Sequence, residues 1–129
     1  MQEKAQPQDA APGCAMALRK RLRLKHPADF ARLRQEGRVK RHPLFVLSVA
    51  PNALDHNRYG FITSKRLGNA VKRNRIRRQL SEAVRLTHHH LRPGYDVIII
   101  ARHPIMQAPF ATIQTALHET LLRAQLLED

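Results

Sequence analysis

Ser64–Arg85, SKRLGNAVKRNRIRRQLSEAVR, carries eight of the chain's 23 Lys and Arg residues against one acid, Glu82. Placed on a helix at roughly 100° per residue, Ile76, Leu80, Ala83 and Val84 fall along one side, and Asn74, Arg75, Arg78, Glu82 and Arg85 along the other. The stretch reads as an amphipathic helix with an apolar seam and a basic back. Its start breaks a stability rule. Lys72, Arg73 and Arg75 crowd the first turns, where the helix dipole already presents partial positive charge and Asp or Glu would be favoured. Free backbone N–H groups beside guanidinium groups make a phosphate-binding arrangement, so the misplaced charge points to a polyanion. The alternative is a solvated basic face.

Immediately upstream, Arg58–Thr63, RYGFIT, reads as a strand with Tyr59 and Phe61 on one face. Leu44–Ala50, LFVLSVA, reads as another, with Phe45, Leu47 and Val49 on one side and Leu44, Val46 and Ser48 on the other. That pattern suits a sheet covered on one face and partly occupied on the other. Between the two, Pro51–Asn57, PNALDHN, is turn chemistry and predicts a hairpin joining them. Arg38–Arg41 reads as a further short strand. Asn69 suits the N-cap of the basic helix, which fades near Thr87–His90.

Downstream, Pro93-Gly94 turns into YDVIIIA, whose unbroken Val97–Ile100 run suits a strand buried on both faces. A last helix from about Ala108 to Leu127 repeats Ile113, Leu117 and Leu121, with Phe110 and Ala124 near the same stripe. Toward the N-terminus, Pro27-Ala28-Asp29 opens a short helix through about Glu36, with Phe30 and Leu33 facing inward and Gly37 as its stop. Arg19–Lys25, RKRLRLK, is either an extended arm along phosphates or a solvated flank of that helix. Met1–Ala17 has two prolines, a glycine and no periodicity, and reads as a disordered tail. Residues 18–129 are then a single domain.

A length of 129 residues with 43% hydrophobic content suits one modest core. The formal net charge of +13 points to nucleic acid or an anionic membrane. No apolar run approaches the ~18 residues of a spanning helix, and the first eighteen residues lack a signal peptide's pattern. A cytoplasmic protein with no membrane partner is expected. Cys14 alone cannot form an internal disulfide. His88, His89 and His90 diverge around a helix, and no Cys or carboxylate joins them at ligand spacing, so no metal site is expected. Asp29, Glu36, Asp55, Glu82, Asp96 and Glu119 fall in different elements, unlike the clustered carboxylates or paired His of a self-sufficient nuclease. No phosphate loop, dinucleotide fingerprint or nucleophile elbow is present, and no catalytic residue is assigned. With four Phe, two Tyr and no Trp, binding should lean on charge and helix geometry more than on stacking.

Gly60–Arg85, GFITSKRLGNAVKRNRIRRQLSEAVR, resembles the signature of the protein subunit of bacterial ribonuclease P, GF-x-x-SKK-x-GNAV-x-RNR-x-KR. Gly60, Phe61, Ser64, Lys65, Gly68–Val71, Arg73–Arg75 and Arg78 meet it, with Arg66 and Arg77 standing for Lys. The resemblance extends to Asp29-Phe30, Gly37, Phe45-Val46-Leu47 and Ile98–Pro104, covering roughly Leu22 to Leu122. It implies an α+β fold, an α-β-β-β-α-β-α two-layer sandwich with a left-handed β-α-β crossover, against the usual right-handed preference.

It also implies work within a ribonucleoprotein endoribonuclease. The RNA subunit, with its magnesium ions, removes the 5′ leader of precursor tRNA; the protein binds that RNA and the leader and holds no firm cofactor of its own. By resemblance, Lys65, Arg66, Asn69, Lys72, Arg73, Asn74, Arg75, Arg77 and Arg78 face the RNA subunit, with helix capping the alternative for Asn69 and Asn74. Phe30, Arg34, Val46, Ser48, Ile62 and Ser64 match a leader cleft between the first helix and the sheet. The family often carries aromatics at the positions of Arg34 and Ser48, so charge and hydrogen bonding are expected to replace stacking here, with steeper salt dependence. The partners implied are the ribonuclease P RNA and precursor tRNA, and no obligate protein partner is evident. The rival reading is a structural or chaperone-like RNA-binding protein such as a ribosomal one. A DNA-binding regulator fits less well, because nothing reads as a helix-turn-helix with a dimer interface.

Overall fold

The computed structural model describes residues 20–127. The expected tail Met1–Ala17, Cys14 within it, and the first residue of the basic Arg19–Lys25 run lie outside the described residues. In chain order come α1 (Pro27–Glu36), β1 (Arg38–Arg41), β2 (Phe45–Pro51), β3 (Arg58–Ile62), α2 (Ala70–Thr87), β4 (Tyr95–Ala101) and α3 (Phe110–Arg123). This is the α-β-β-β-α-β-α order expected of the α+β fold.

The four strands form one sheet in the order β1-β2-β4-β3. β2 runs antiparallel to both β1 and β4, whereas β3 and β4 are parallel. A parallel pair needs a long crossover, and α2 supplies it. The hairpin expected between β2 and β3 is therefore not formed, because β4 lies between them. The Val97–Ile100 run is apolar toward both faces and takes an inner position, paired on both edges. The turn chemistry of 51–57 is real, but it carries the chain past β4. Asn52 Oδ1 accepts from Leu54 N at 2.8 Å, Asn52 N donates to Gly94 O at 2.9 Å, and Ala53 adopts φ 61°.

One face of the sheet holds most of the core. Phe45, Leu47 and Val49 of β2, Tyr59 of β3 and Val97, Ile99 and Ala101 of β4 pack on Ile76, Leu80, Ala83 and Val84 of α2 and on Ile113, Leu117 and Leu121 of α3. The predicted seam of α2 is thus its buried side. Ser81 and Thr87 are buried with it, and Thr87 Oγ1 donates to Ala83 O at 2.9 Å, which satisfies the hydroxyl. Burial pushes the Tyr59 phenol up to about 12, so the neutral form prevails at ordinary pH. Its oxygen accepts from Asn57 Nδ2 at 3.2 Å and lies 2.9 Å from His88 Nδ1.

α3 ends before Leu127, because Gln125 turns left-handed at φ 64°. Leu126 N then donates to Leu121 O at 3.1 Å and Gln125 N to Leu122 O at 3.0 Å, the pairing of a Schellman cap.

The opposite face carries α1 over a small cluster of Leu24, Leu33, Ala50 and Ile98. Leading into α1, Leu24 N donates to Tyr59 O at 2.8 Å and Arg23 bridges Tyr59 in parallel, so the chain start covers the outer edge of β3. No strand among the described residues pairs with the outer edge of β1.

Candidate nucleic-acid interface

α2 starts where Asn69 Oδ1 accepts from Lys72 N at 3.0 Å, confirming the N-cap. No acid stands in the first turn. Lys65 and Arg66 sit on the 3-10 turn Lys65–Leu67 just before it, and Lys65, Arg66, Asn69, Lys72, Asn74, Arg75, Arg77 and Arg78 are all exposed. Lys65, Arg66, Lys72, Arg75 and Arg78 make no ion pair among the described residues. Asn74 is no cap. Its Oδ1 accepts from Arg77 Nη1 at 2.8 Å, while Arg77 Nη2 donates to Thr63 Oγ1. Arg77 thereby ties the helix to the end of β3. Arg73 is half-buried, and its Nε is buried without a hydrogen bond in the chain. An unsatisfied buried donor costs about 1–3 kcal/mol.

The strand register divides the α1 face of the sheet into three rows, since residues directly opposite each other share a face. Ala50, Asp96 and Arg58 form the first row, and Val39, Ser48, Ile98 and Gly60 the second. Arg41, Val46, Ile100 and Ile62 form the third.

α1 covers the first two rows. In the first, the carboxylate of Asp96 is wholly buried and receives Arg58 Nε at 2.9 Å, Arg58 Nη2 at 2.8 Å, Asn52 Nδ2 at 2.9 Å and Arg32 Nη2. These hydrogen bonds hold the Arg58 pKa above its ordinary value. Arg32 also donates to Pro51 O at 3.0 Å, and Asp29 lies 3.6 Å from Arg58. The cluster fastens the flank of α1 that carries Asp29 and Arg32 to β3 and β4.

In the second row, Ser48 Oγ donates to Leu33 O at 3.1 Å. A Cβ at Gly37 would meet Ser48 Oγ at 2.3 Å and Leu33 O at 2.5 Å. Gly37 therefore ends α1 by permitting close approach; its φ of −70° needs no glycine. A Cβ at Gly60 would meet Phe30 Cζ at 2.7 Å, so the Phe30 ring lies directly on the β3 backbone.

The third row is uncovered, and with the Phe30 and Arg34 flank of α1 it forms a groove. Val46, Ile62 and Ile100 are half-exposed on its floor, Phe30 is half-buried in its wall, and Arg34 and Ser64 are exposed. Of the six expected cleft residues, Val46 and Ile62 share this row and Phe30 lies over the neighbouring Gly60, while Arg34 and Ser64 are exposed. Ser48 does not line it: it is 6% exposed, with its hydroxyl committed to Leu33, because α1 sits on it. The hydrogen bonding expected of Ser48 toward a ligand is thus spent inside the fold.

After Ile62 the chain buries Thr63, whose hydroxyl accepts from Arg77 of α2, and re-emerges at Ser64 just before the basic turn and α2. The two expected surfaces are thus joined in the chain through Ser64. Ile100, Arg41 and the Asp96 cluster were not singled out from sequence, since each depends on which strands are neighbours. No group of three His, Cys, Asp or Glu suited to a metal gathers among the described residues, and no helix there is long and apolar enough to cross a membrane.

Fold and site together define a class: a basic α+β RNA-binding protein with a cationic helix start opening into a groove across a mixed sheet. A family model described as Ribonuclease P matches residues 18–125. The chain belongs to the ribonuclease P protein family, and tRNA processing is its field of action. It is 48% identical over 107 residues to the ribonuclease P protein component of Herpetosiphon aurantiacus, covering 83% of this chain and 87% of that one. It is 40% identical over 112 residues to that of Roseiflexus sp., covering 86% and 92%. Among solved structures, a Staphylococcus aureus RNase P protein mutant with defective mRNA degradation activity superposes with a TM-score of 0.79 at 35% identity, over 84% of this chain and 92% of that one. The Thermotoga maritima RNase P protein in complex with 1-(4-fluorophenyl)-2-thiourea gives 0.74 at 28% identity, over 78% and 98%.

Proposed function

We propose that this chain binds the RNA subunit of ribonuclease P through the start of α2 and the 5′ leader of precursor tRNA through the groove beside α1. The RNA performs the endonucleolytic cut that forms the mature 5′ end. One observation carries the reading: Lys65, Arg66, Lys72 and Arg75 stand exposed at or just before a helix start with no acid in its first turn, Arg78 follows one turn after Arg75, and none of the five makes an ion pair among the described residues. In an isolated protein this arrangement is self-repelling, and a phosphate backbone relieves it while the free N–H groups of the first turn add to the hold. Magnesium in the holoenzyme is expected on the RNA, whose phosphates provide the hard oxygen ligands that ion prefers.

The protein's part is positioning. Phosphate contacts fix register and orientation without reading sequence, and the half-apolar floor of Val46, Ile62 and Ile100 accepts a single strand without selecting bases. The experiment is reconstitution: the protein is added to a bacterial ribonuclease P RNA at low magnesium, and leader removal from precursor tRNA is followed. Stimulated cleavage is expected; a folded protein that leaves the rate unchanged defeats the reading.

A further inference from the structure

The strand register gives the groove a far end that no sequence motif marks. Arg41 is the last residue of β1 and stands opposite Val46, which stands opposite Ile100, which stands opposite Ile62. Opposed residues share a face, and the face of Val46, Ile62 and Ile100 is the one beside α1. Arg41 therefore points to the groove side of the sheet. It is exposed and makes no ion pair among the described residues. Its backbone carbonyl is already held by Arg123 Nη2 at 3.2 Å, which leaves the side chain as the adjustable part. Arg34 lies one helical turn after Phe30 on the same flank of α1, and the chain reaches β1 through Gly37 directly after that helix.

The groove is thus asymmetric. Its β3 end joins the basic turn of Lys65 and Arg66 through Ser64, its middle is apolar, and its β1 end carries Arg41, with Arg34 on the neighbouring wall. Four strands at ~4.8 Å spacing separate the two ends by roughly 14 Å, enough for several nucleotides of a single strand.

Resting on the leader-groove reading above, we propose that Arg41 is a specificity-determining residue of this protein: it takes a backbone phosphate of the leader at the β1 edge, the end of the groove remote from α2. Only leaders long enough to cross the floor reach it, so Arg41 makes the protein sensitive to leader length.

The test uses reconstituted holoenzyme and precursor tRNAs with leaders of increasing length, comparing wild type, Arg41→Ala and Arg41→Lys. Wild-type affinity should rise with leader length. Arg41→Ala should lose several-fold in affinity for long leaders and nothing for the shortest, and its log–log salt slope on long leaders should fall by about 0.7, the value of one single-strand phosphate. Arg41→Lys should restore most of both. A wild type indifferent to leader length overturns the groove reading on which the proposal rests. A length-sensitive wild type matched by Arg41→Ala in length dependence and salt slope overturns the role of Arg41 alone. Thermal unfolding of the free proteins should be equal, since Arg41 is exposed on an edge strand; loss of affinity for the shortest leader together with a lowered melting point would assign Arg41 to structure instead.

Discussion

The two faces of the sheet are built on different physics. Toward α2 and α3, aliphatic and aromatic side chains interlock, the buried hydroxyls of Thr87 and Thr120 are satisfied within their own helices, and Phe45, Leu47, Leu80, Ile99, Ile113 and Leu117 are wholly buried. Toward α1, the buried apolar cluster is only Leu24, Leu33, Ala50 and Ile98, and the helix is held largely by the Asp96 cluster and the Ser48–Leu33 bond. Apolar contact is non-directional and accumulates with area, whereas charge-assisted hydrogen bonds fix angle and position. The first face supplies stability. The second spends little burial but sets where α1 stands, and hence how wide the groove is.

The largest effect should come from the first face. Leu80→Ala removes a wholly buried side chain from the seam of α2 and should cost about 2–5 kcal/mol of unfolding free energy, measured by urea denaturation. A loss under about 1 kcal/mol would mean that the interlocked face is not the principal support. Asp96→Asn should come next, at about 2–3 kcal/mol, below the roughly 3–5 kcal/mol of a fully buried pair. The discount arises because Arg32 and Arg58 keep 28% and 26% of their side-chain surface exposed. Its distinguishing mark is locality: hydrogen exchange should quicken in α1 more than in α2 or α3. Uniform quickening would erase the contrast between the faces. Arg75→Ala should be smallest in stability, within about 0.5 kcal/mol, yet lower the salt slope of binding to ribonuclease P RNA by about one. An unchanged slope would return Arg75 to a solvated face.

Legibility in the sequence follows the same division. The α2 seam could be read because helical periodicity is a local signal, and Asn69 because a cap acts within three residues. The β2–β3 hairpin was misread because turn residues at 51–57 report that the chain turns, not that the strands it leaves and enters are neighbours. β4 comes later in the chain and occupies the place between them. Val46 and Ile62 could be read onto one face from alternation and the resemblance, but the burial of Ser48 could not. Its alternation placed it correctly on the α1 face, and only packing reveals that α1 sits on it. Asp96 and Arg32 are 64 positions apart, and no spacing rule joins them. Arg41 entered the groove only once the register was known.

The outer edge of β1 has a consequence for the protein before it meets its RNA. A strand with unpaired backbone groups is a template for a second copy to add its own strand. Here that edge is four residues long and reads Arg-Val-Lys-Arg, so a second copy would bring three cations against three like charges. The strand is also short, and the opposite edge of the sheet is already covered by the chain's own Arg23 and Leu24. Like-charge repulsion at this rim opposes sheet-to-sheet polymerisation of the free protein, and it does so most strongly at low ionic strength.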